Sequence, residues 1–202
     1  FYAFSAFSLR VRVIRDLSTE KYFVPNVVGT IKPFTSFTVN ILEACPGFIE
    51  EANLSKLDLA LVFVDFSKAF DSVDRSKMFE ILRLYGIPDK IIEAIKVMYT
   101  GTSSTVLSTD GETLSFPILA GILQGDTLAP FLFIIVVDYV LRMSVDPISE
   151  KGFKLRRRRS TRQHAVYITD TDFADDIALI SQSLQHAQDL LQSLEQASNG
   201  VG

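Results

Sequence analysis

At 202 residues, 48% apolar and 22% charged, with ten glycines and seven prolines, the chain has the make-up of a globular domain, which excludes a disordered tail, a collagen and a coiled coil. Its one cysteine, Cys45, cannot form an internal bridge, so a disulfide-built scaffold is excluded and a reducing intracellular setting is expected. The formal charge of -4 conceals segregation: Lys151 to Arg162 holds seven basic residues and no acidic one, and Ala165 to the C-terminus holds six acidic residues and no basic one.

The apolar start, Phe1 to Leu9, has no initiator Met and no basic region before it, so it reads as a fragment boundary and not as a signal peptide. Residues 1–46 mix aromatic, Thr and Val residues with Gly29, Pro25 and Pro33. They show no sustained period and are expected to form strands and loops. The character changes near Cys45-Pro46-Gly47, and a short helix is expected over Phe48 to Asn53. The continuous apolar run Leu59 to Val64 has the length of a buried central strand and ends in Asp65. Asp74 suits an N-cap for a helix carrying Met78, Ile81, Leu82 and Tyr85 on one face, stopped by Gly86 and Pro88. A second amphipathic helix follows with Ile91, Ile92, Ile95, Met98 and Tyr99. Thr105-Val106-Leu107 and Leu114-Ser115-Phe116 flank Asp110-Gly111, a hairpin signal.

Gly121 to Gly125 reads as a turn, and Thr127 to Leu141 as a helix apolar on most faces and hence buried. The longest apolar run, Leu128 to Val137, spans about ten residues and contains Pro130, too short to cross a bilayer, so no membrane partner is expected. Ala165 to Ile168 and Ile177 to Ile180 are two short strands with Asp170, Asp172, Asp175 and Asp176 between them. A last helix over Ser183 to Ala197 carries Leu184, Ala187, Leu191 and Leu194. The order indicates an α+β domain with an antiparallel sheet.

Four carboxylates within seven residues repel unless a cation lies among them. An EF-hand is excluded, because its sixth position would be Asp175 in place of Gly and its twelfth Ser181 in place of Glu. If the Asp65 strand pairs beside the Asp175-Asp176 hairpin, three carboxylates converge and supply hard oxygen ligands for Mg²⁺, as phosphoryl transfer on two metal ions requires. The plainer alternative has Asp65 capping a turn with Ser67, Asp71 and Asp74. Gly121 and Gly125 bracket Gln124 just before a helix, which lets a backbone approach a ligand closely. The Gly-Lys-Ser/Thr ending of a P-loop is missing.

Three stretches together resemble the reverse transcriptases of non-LTR (LINE-type) retrotransposons. Asp65-Phe66-Ser67-Lys68-Ala69-Phe70-Asp71-Ser72-Val73-Asp74 resembles their first palm motif. Gly121 to Phe133 is similar to their Gly-x-x-Gln-Gly-x-x-Leu-x-Pro-x-Leu-Phe motif, and Phe173-Ala174-Asp175-Asp176 resembles their aromatic-x-Asp-Asp box. The resemblance covers about Phe48 to Gly202. It implies a polymerase palm, an antiparallel sheet with helices packed on one face, with partial fingers and no thumb. Residues 1–46 lack the family's Gly-Phe-Arg-x-Gly-Arg-Ser-Thr fingers motif and form an atypical N-terminal segment. Residues 47–202 form the palm and fingers, truncated before the Lys-bearing motif and thumb.

By that resemblance Asp65, Asp175 and Asp176 are catalytic and hold two Mg²⁺ ions, with Mn²⁺ as the alternative, and Phe66 offers its backbone carbonyl to one ion. Phe70 is the aromatic gate against a ribose 2′-OH, where the bland reading is core packing. Gln124 and Gly125 lie along the incoming nucleotide. The implied partners are an RNA template, a DNA primer and deoxynucleoside triphosphates. The basic run centred on Arg156, Arg157, Arg158 and Arg159 is expected to contact phosphates, where the bland reading is a solvated loop. An active retroelement enzyme would work in the nucleus. The competing reading is a catalytically silent palm remnant or nucleic-acid-binding module. A nucleotide cyclase is disfavoured because its Gly-Gly-Asp/Glu-Glu-Phe box does not occur. The sequence sets no oligomeric state.

Overall fold

The computed structural model describes residues 9–15, 39–66, 68–109, 111–156, 165–174 and 176–202, with the side chains of residues 9–15, 39–46, 156 and 173 left out. In chain order, strand β1 (Leu9–Arg15) precedes helix α1 (Val39–Ser55), strand β2 (Ala60–Phe66), the single turn α2 (Ala69–Ser72), and helices α3 (Arg75–Leu84) and α4 (Asp89–Tyr99). Two-residue strands β3 (Ser103–Ser104), β4 (Leu107–Ser108), β5 (Gly111–Glu112) and β6 (Phe116–Pro117) make a nested hairpin, β3 pairing with β6 and β4 with β5. Helix α5 (Ala129–Ser144) leads through a 3₁₀ segment, Asp146–Lys151, into β7 (Phe153–Arg156), β8 (Val166–Ile168), β9 (Asp170–Phe173), β10 (Asp176–Ser181) and helix α6 (Leu184–Ser198).

The main sheet has the order β1-β2-β10-β9 and its neighbours run antiparallel. Because β2 is apolar on both faces, it needs cover on both. Val62, Val64, Phe66, Ile177 and Leu179 pack with residues of α3, α4, α5 and α6. Leu61, Phe63, Ala178 and Ile180 pack with Ala52 of α1 and Phe153 of β7. The expectation of helices on one face is therefore corrected: four helices cover one side, and α1 with part of the β7–β8 ribbon covers the other.

Asp74 caps α3 as expected, its carboxylate accepting from the Lys77 amide at 2.9 Å. Met78, Ile81 and Leu82 are buried beneath it. The helix expected from Phe48 is longer, running through Pro46 from Val39 to Ser55. Pro46 and Gly47 are the poorest helix formers, which is why the sequence pattern sets the start of the helix after them. Helix α5 is buried along one side only: Leu132, Phe133, Val136, Val137 and Val140 face the core, whereas Phe131 and Ile134 are exposed. The two strands expected to flank the four aspartates do not pair with each other. β8 pairs with β7, and Asp170 and Asp172 lie within β9, which pairs with β10.

Candidate active site

The pairing of β2 with β10 places Asp65 directly opposite Asp176, in a register that continues through Val64 and Ile177 to Ala60 and Ser181. Directly opposed residues of an antiparallel pair project to the same face, with Cβ atoms ~5 Å apart. The two sequence-distant carboxylates are thus immediate neighbours, and both are half-buried. The same cross-sheet row continues to Arg10 of β1 on one side and Phe173 of β9 on the other. Asp175 lies outside the described residues. Among the described residues, no three His, Cys, Asp or Glu side chains are grouped to hold a metal ion.

Both connections beside this pair contain a non-glycine residue in the left-handed region. Ala174, in the β9–β10 turn, has φ 58°, and Lys68, just after β2, has φ 54°. Each costs about 1–2 kcal/mol relative to a right-handed residue. Such residues persist where surrounding structure fixes them, and they cluster at functional sites.

The first motif folds from β2 into α2, and the Gly121 turn docks on it through main-chain atoms. The Gly121 amide donates to Val73 O at 2.9 Å and the Ile122 amide to Phe70 O at 2.7 Å. Gly121 has φ +83°, and a Cβ built on it would lie 2.7 Å from Asp71 Cα and O. Only glycine allows both that conformation and that approach. Three residues on, Gln124 Nε2 donates to Asp71 Oδ1 at 3.2 Å, leaving Gln124 and Gly125 exposed. Phe70 is half-buried and stacks on Phe133 of α5, ring centroids 4.4 Å apart and planes at 22°. Behind the motif, the Asp74 amide donates to Val201 O at 2.7 Å, tying the end of the chain to the same corner.

Three residues that sequence reasoning missed hold this corner together. Asp71 seats Gln124. Tyr99, buried at the end of α4, accepts from the Leu123 amide at 3.3 Å, and burial pushes its phenol above the ordinary value. Arg75 donates from Nε to Gly121 O at 2.9 Å, and from Nη1 to Tyr99 O, Thr102 Oγ1 and Ile118 O at 2.9 to 3.1 Å. One signal could have singled it out: Arg75 is the first residue of α3, where the helix dipole disfavours a cation.

The basic run is placed only in part. Lys151 is paired with Asp189 at 2.7 Å, and Lys154 lies over the Tyr167 ring at 5.8 Å. Arg156 ends β7 with its side chain undescribed, and Arg157, Arg158 and Arg159 lie outside the described residues.

A strand-borne carboxylate pair, with a glycine-pinned loop docked on the turn that follows one of its strands, on a mixed sheet-and-helix domain, fits a nucleotide-polymerising enzyme. Residues 11–202 match the family described as reverse transcriptase (RNA-dependent DNA polymerase), and the chain belongs to that family. The match begins well upstream of Phe48, where the motif resemblance starts.

The chain is 35% identical over 130 residues to the Retrovirus-related Pol polyprotein from type-2 retrotransposable element R2DM of Drosophila melanogaster, covering 63% of this chain and 11% of that protein. It is 29% identical over 149 residues to the Pol polyprotein from type-1 retrotransposable element R2 of Nasonia vitripennis, covering 73% and 13%. The R2 polyprotein of Popillia japonica is 29% identical over 120 residues, covering 59% and 18%. This is a reverse transcriptase domain of the non-LTR retrotransposon kind, and the matched part spans less than a fifth of each of these relatives. The family's chemistry uses divalent cations, a nucleic-acid template and primer, and nucleotides. Among the described residues, no helix is long and apolar enough to cross a membrane.

Proposed function

We propose that this domain extends a DNA primer on an RNA template by two-metal-ion nucleotidyl transfer. The observation that carries the reading is the direct opposition of Asp65 and Asp176 across β2 and β10. Asp65 and Asp176 would hold divalent cations, joined by Asp175, the residue before Asp176 in the sequence, and by the backbone carbonyl of Phe66. Clustered carboxylates and a carbonyl are the hard donors Mg²⁺ prefers, with Mn²⁺ as a substitute. Bound there, the ions would supply charge stabilisation to the attacking and leaving oxygens of an in-line displacement. In that displacement the primer 3′-OH forms a bond to the α-phosphate as the bond to pyrophosphate breaks.

Gln124 and Gly125 would lie along the incoming deoxynucleotide, with Gln124 aimed by Asp71. Phe70, braced by Phe133, would exclude a ribose 2′-OH. Arg156, Arg157, Arg158 and Arg159 would track template phosphates. The β1-β2-β10-β9 sheet and its helices would be the palm. The segment before residue 47 would contribute an atypical fingers region as well as strand β1, and the enzyme would act in the nucleus.

The test is Mg²⁺-dependent extension of a primed RNA by wild type, Asp65→Asn and Asp175→Asn, with Mn²⁺ binding followed by water relaxation. Both variants should keep their melting temperature, lose extension by at least about a thousandfold and bind Mn²⁺ more weakly. Undiminished extension in either sinks the site assignment. Primed RNA bound but not extended by wild type would identify the silent, nucleic-acid-binding remnant instead.

A further inference from the structure

Arg75 sits at the start of α3, half-buried, and each of its four described acceptors is neutral. Its Nη2 is buried with no acceptor among the described residues. The guanidinium also lies over the Tyr99 ring at 5.0 Å from the centroid. Burying a cation against neutral groups is costly unless its geometry is used. Here the fork joins three separate pieces: the last residue of α4, the two legs of the β3–β6 hairpin at Thr102 and Ile118, and the Gly121 peptide. The Gly121 peptide is gripped from both sides, its carbonyl by Arg75 and its amide by Val73 O.

We propose that Arg75 is a positioning residue for nucleotide binding, its guanidinium fixing the Gly121 carbonyl so that Gln124 and Gly125 are presented beside the Asp65 strand. The inference rests on the reading of Gln124 and Gly125 as nucleotide contacts. Lysine keeps the charge but has one nitrogen, and it cannot hold Gly121 O while reaching the hairpin and α4. Arg75 acts through the loop and touches no reacting atom.

The experiment compares wild type, Arg75→Lys, Thr102→Val and Asp65→Asn in primer extension. It also records melting temperature, primer–template affinity and amide exchange at Gly121 and Ile122. Arg75→Lys should raise the KM for deoxynucleotide about tenfold, with kcat and primer–template affinity within about threefold of wild type. Exchange at Gly121 and Ile122 should accelerate by a similar factor, while amides within α5 stay unchanged. Thr102→Val, which removes one acceptor of Nη1, should shift both readouts the same way by about threefold, and it decides the matter if Arg75→Lys does not fold.

A lowered melting temperature with wild-type KM and wild-type exchange at both amides overturns the role. If no protein in the series turns over, unchanged exchange at the two amides overturns it equally. Asp65→Asn separates the two ideas: full activity in that variant removes the metal-site assignment, whereas an inactive Asp65→Asn beside a wild-type KM in Arg75→Lys removes only the role of Arg75.

Discussion

The ring of Phe70 lies nearly flat against that of Phe133, joining the helical turn after the Asp65 strand to the buried side of α5. The stack makes Phe70 part of the packing on the α3–α6 side of the sheet and holds its ring as a rigid wall, which the gate role proposed above would require. Phe70→Val should cost about 1–2 kcal/mol from the lost stack and lost buried area, read as a shift in urea midpoint. If the wall excludes the 2′-OH, the same variant will insert ribonucleotides more readily relative to deoxynucleotides. A stability loss with an unchanged selectivity ratio leaves Phe70 as packing alone.

Gly121 and Gly86 have nearly the same positive φ, +83° and +76°, but only Gly121 would push a Cβ into backbone, 2.7 Å from Asp71, whereas Gly86 opens onto empty space. Gly86→Ala should cost about 1 kcal/mol, the strain of the left-handed region. Gly121→Ala adds a clash with backbone that has no rotamer to yield, and should cost about 2–4 kcal/mol. Equal costs by denaturant titration would mean that the turn is not docked on the first motif.

Asp71 is exposed and its bond to Gln124 is a single contact, so Asp71→Ala should leave the melting temperature almost unmoved. Freed, Gln124 should present less well to nucleotide. One hydrogen bond of about 0.5–1.5 kcal/mol corresponds to a KM increase of roughly two- to tenfold, measurable in steady-state extension. An unaltered KM would show that Gln124 needs no seat.

Burial holds Asp170 above the ordinary carboxylate value, opposed by the hydroxyl of Thr169 that donates to it, with Asp172 and Asp146 adding repulsion. Since its folded-state value is the higher one, the folded protein binds this proton more readily. Stability is therefore lost as pH rises from the unfolded value through the folded one, and the full penalty remains at neutrality. Asp170→Asn should raise the melting temperature at pH 7 by about 2 °C, with the gain fading toward pH 4. A gain independent of pH would point to packing as its source.

Elements written in local chemistry were legible in the sequence. The apolar run of β2, the Asp74 cap, the Met78, Ile81 and Leu82 face, and the presence of a hairpin between α4 and α5, though with strands at Leu107–Ser108 and Gly111–Glu112 and not at 105–107 and 114–116, each depend on neighbours within a few residues. Relations across the chain were less so. That Asp65 faces Asp176 depends on strand register, which turns on pairing between residues more than a hundred positions apart. Strand β9 escaped because Asp-Thr-Asp-Phe has little strand propensity, and its pairing with β10 overrides that. The part of helix α1 before Phe48 escaped because Pro46 interrupts its pattern. The partners of Arg75 were invisible because they are mainly backbone carbonyls, which carry no residue-specific mark.

The seam between the Asp65 motif and the glycine turn is sewn by peptide groups, Gly121 to Val73 and Ile122 to Phe70. Within the turn itself its persistence demands only that the glycine remain and the backbone keep its path, the Arg75 clasp being supplied from α3. Side chains along the turn are left at liberty to diverge, so if the turn lines the nucleotide as proposed, selectivity for one nucleotide or template over another can be retuned there without dismantling the joint that sets the loop in place.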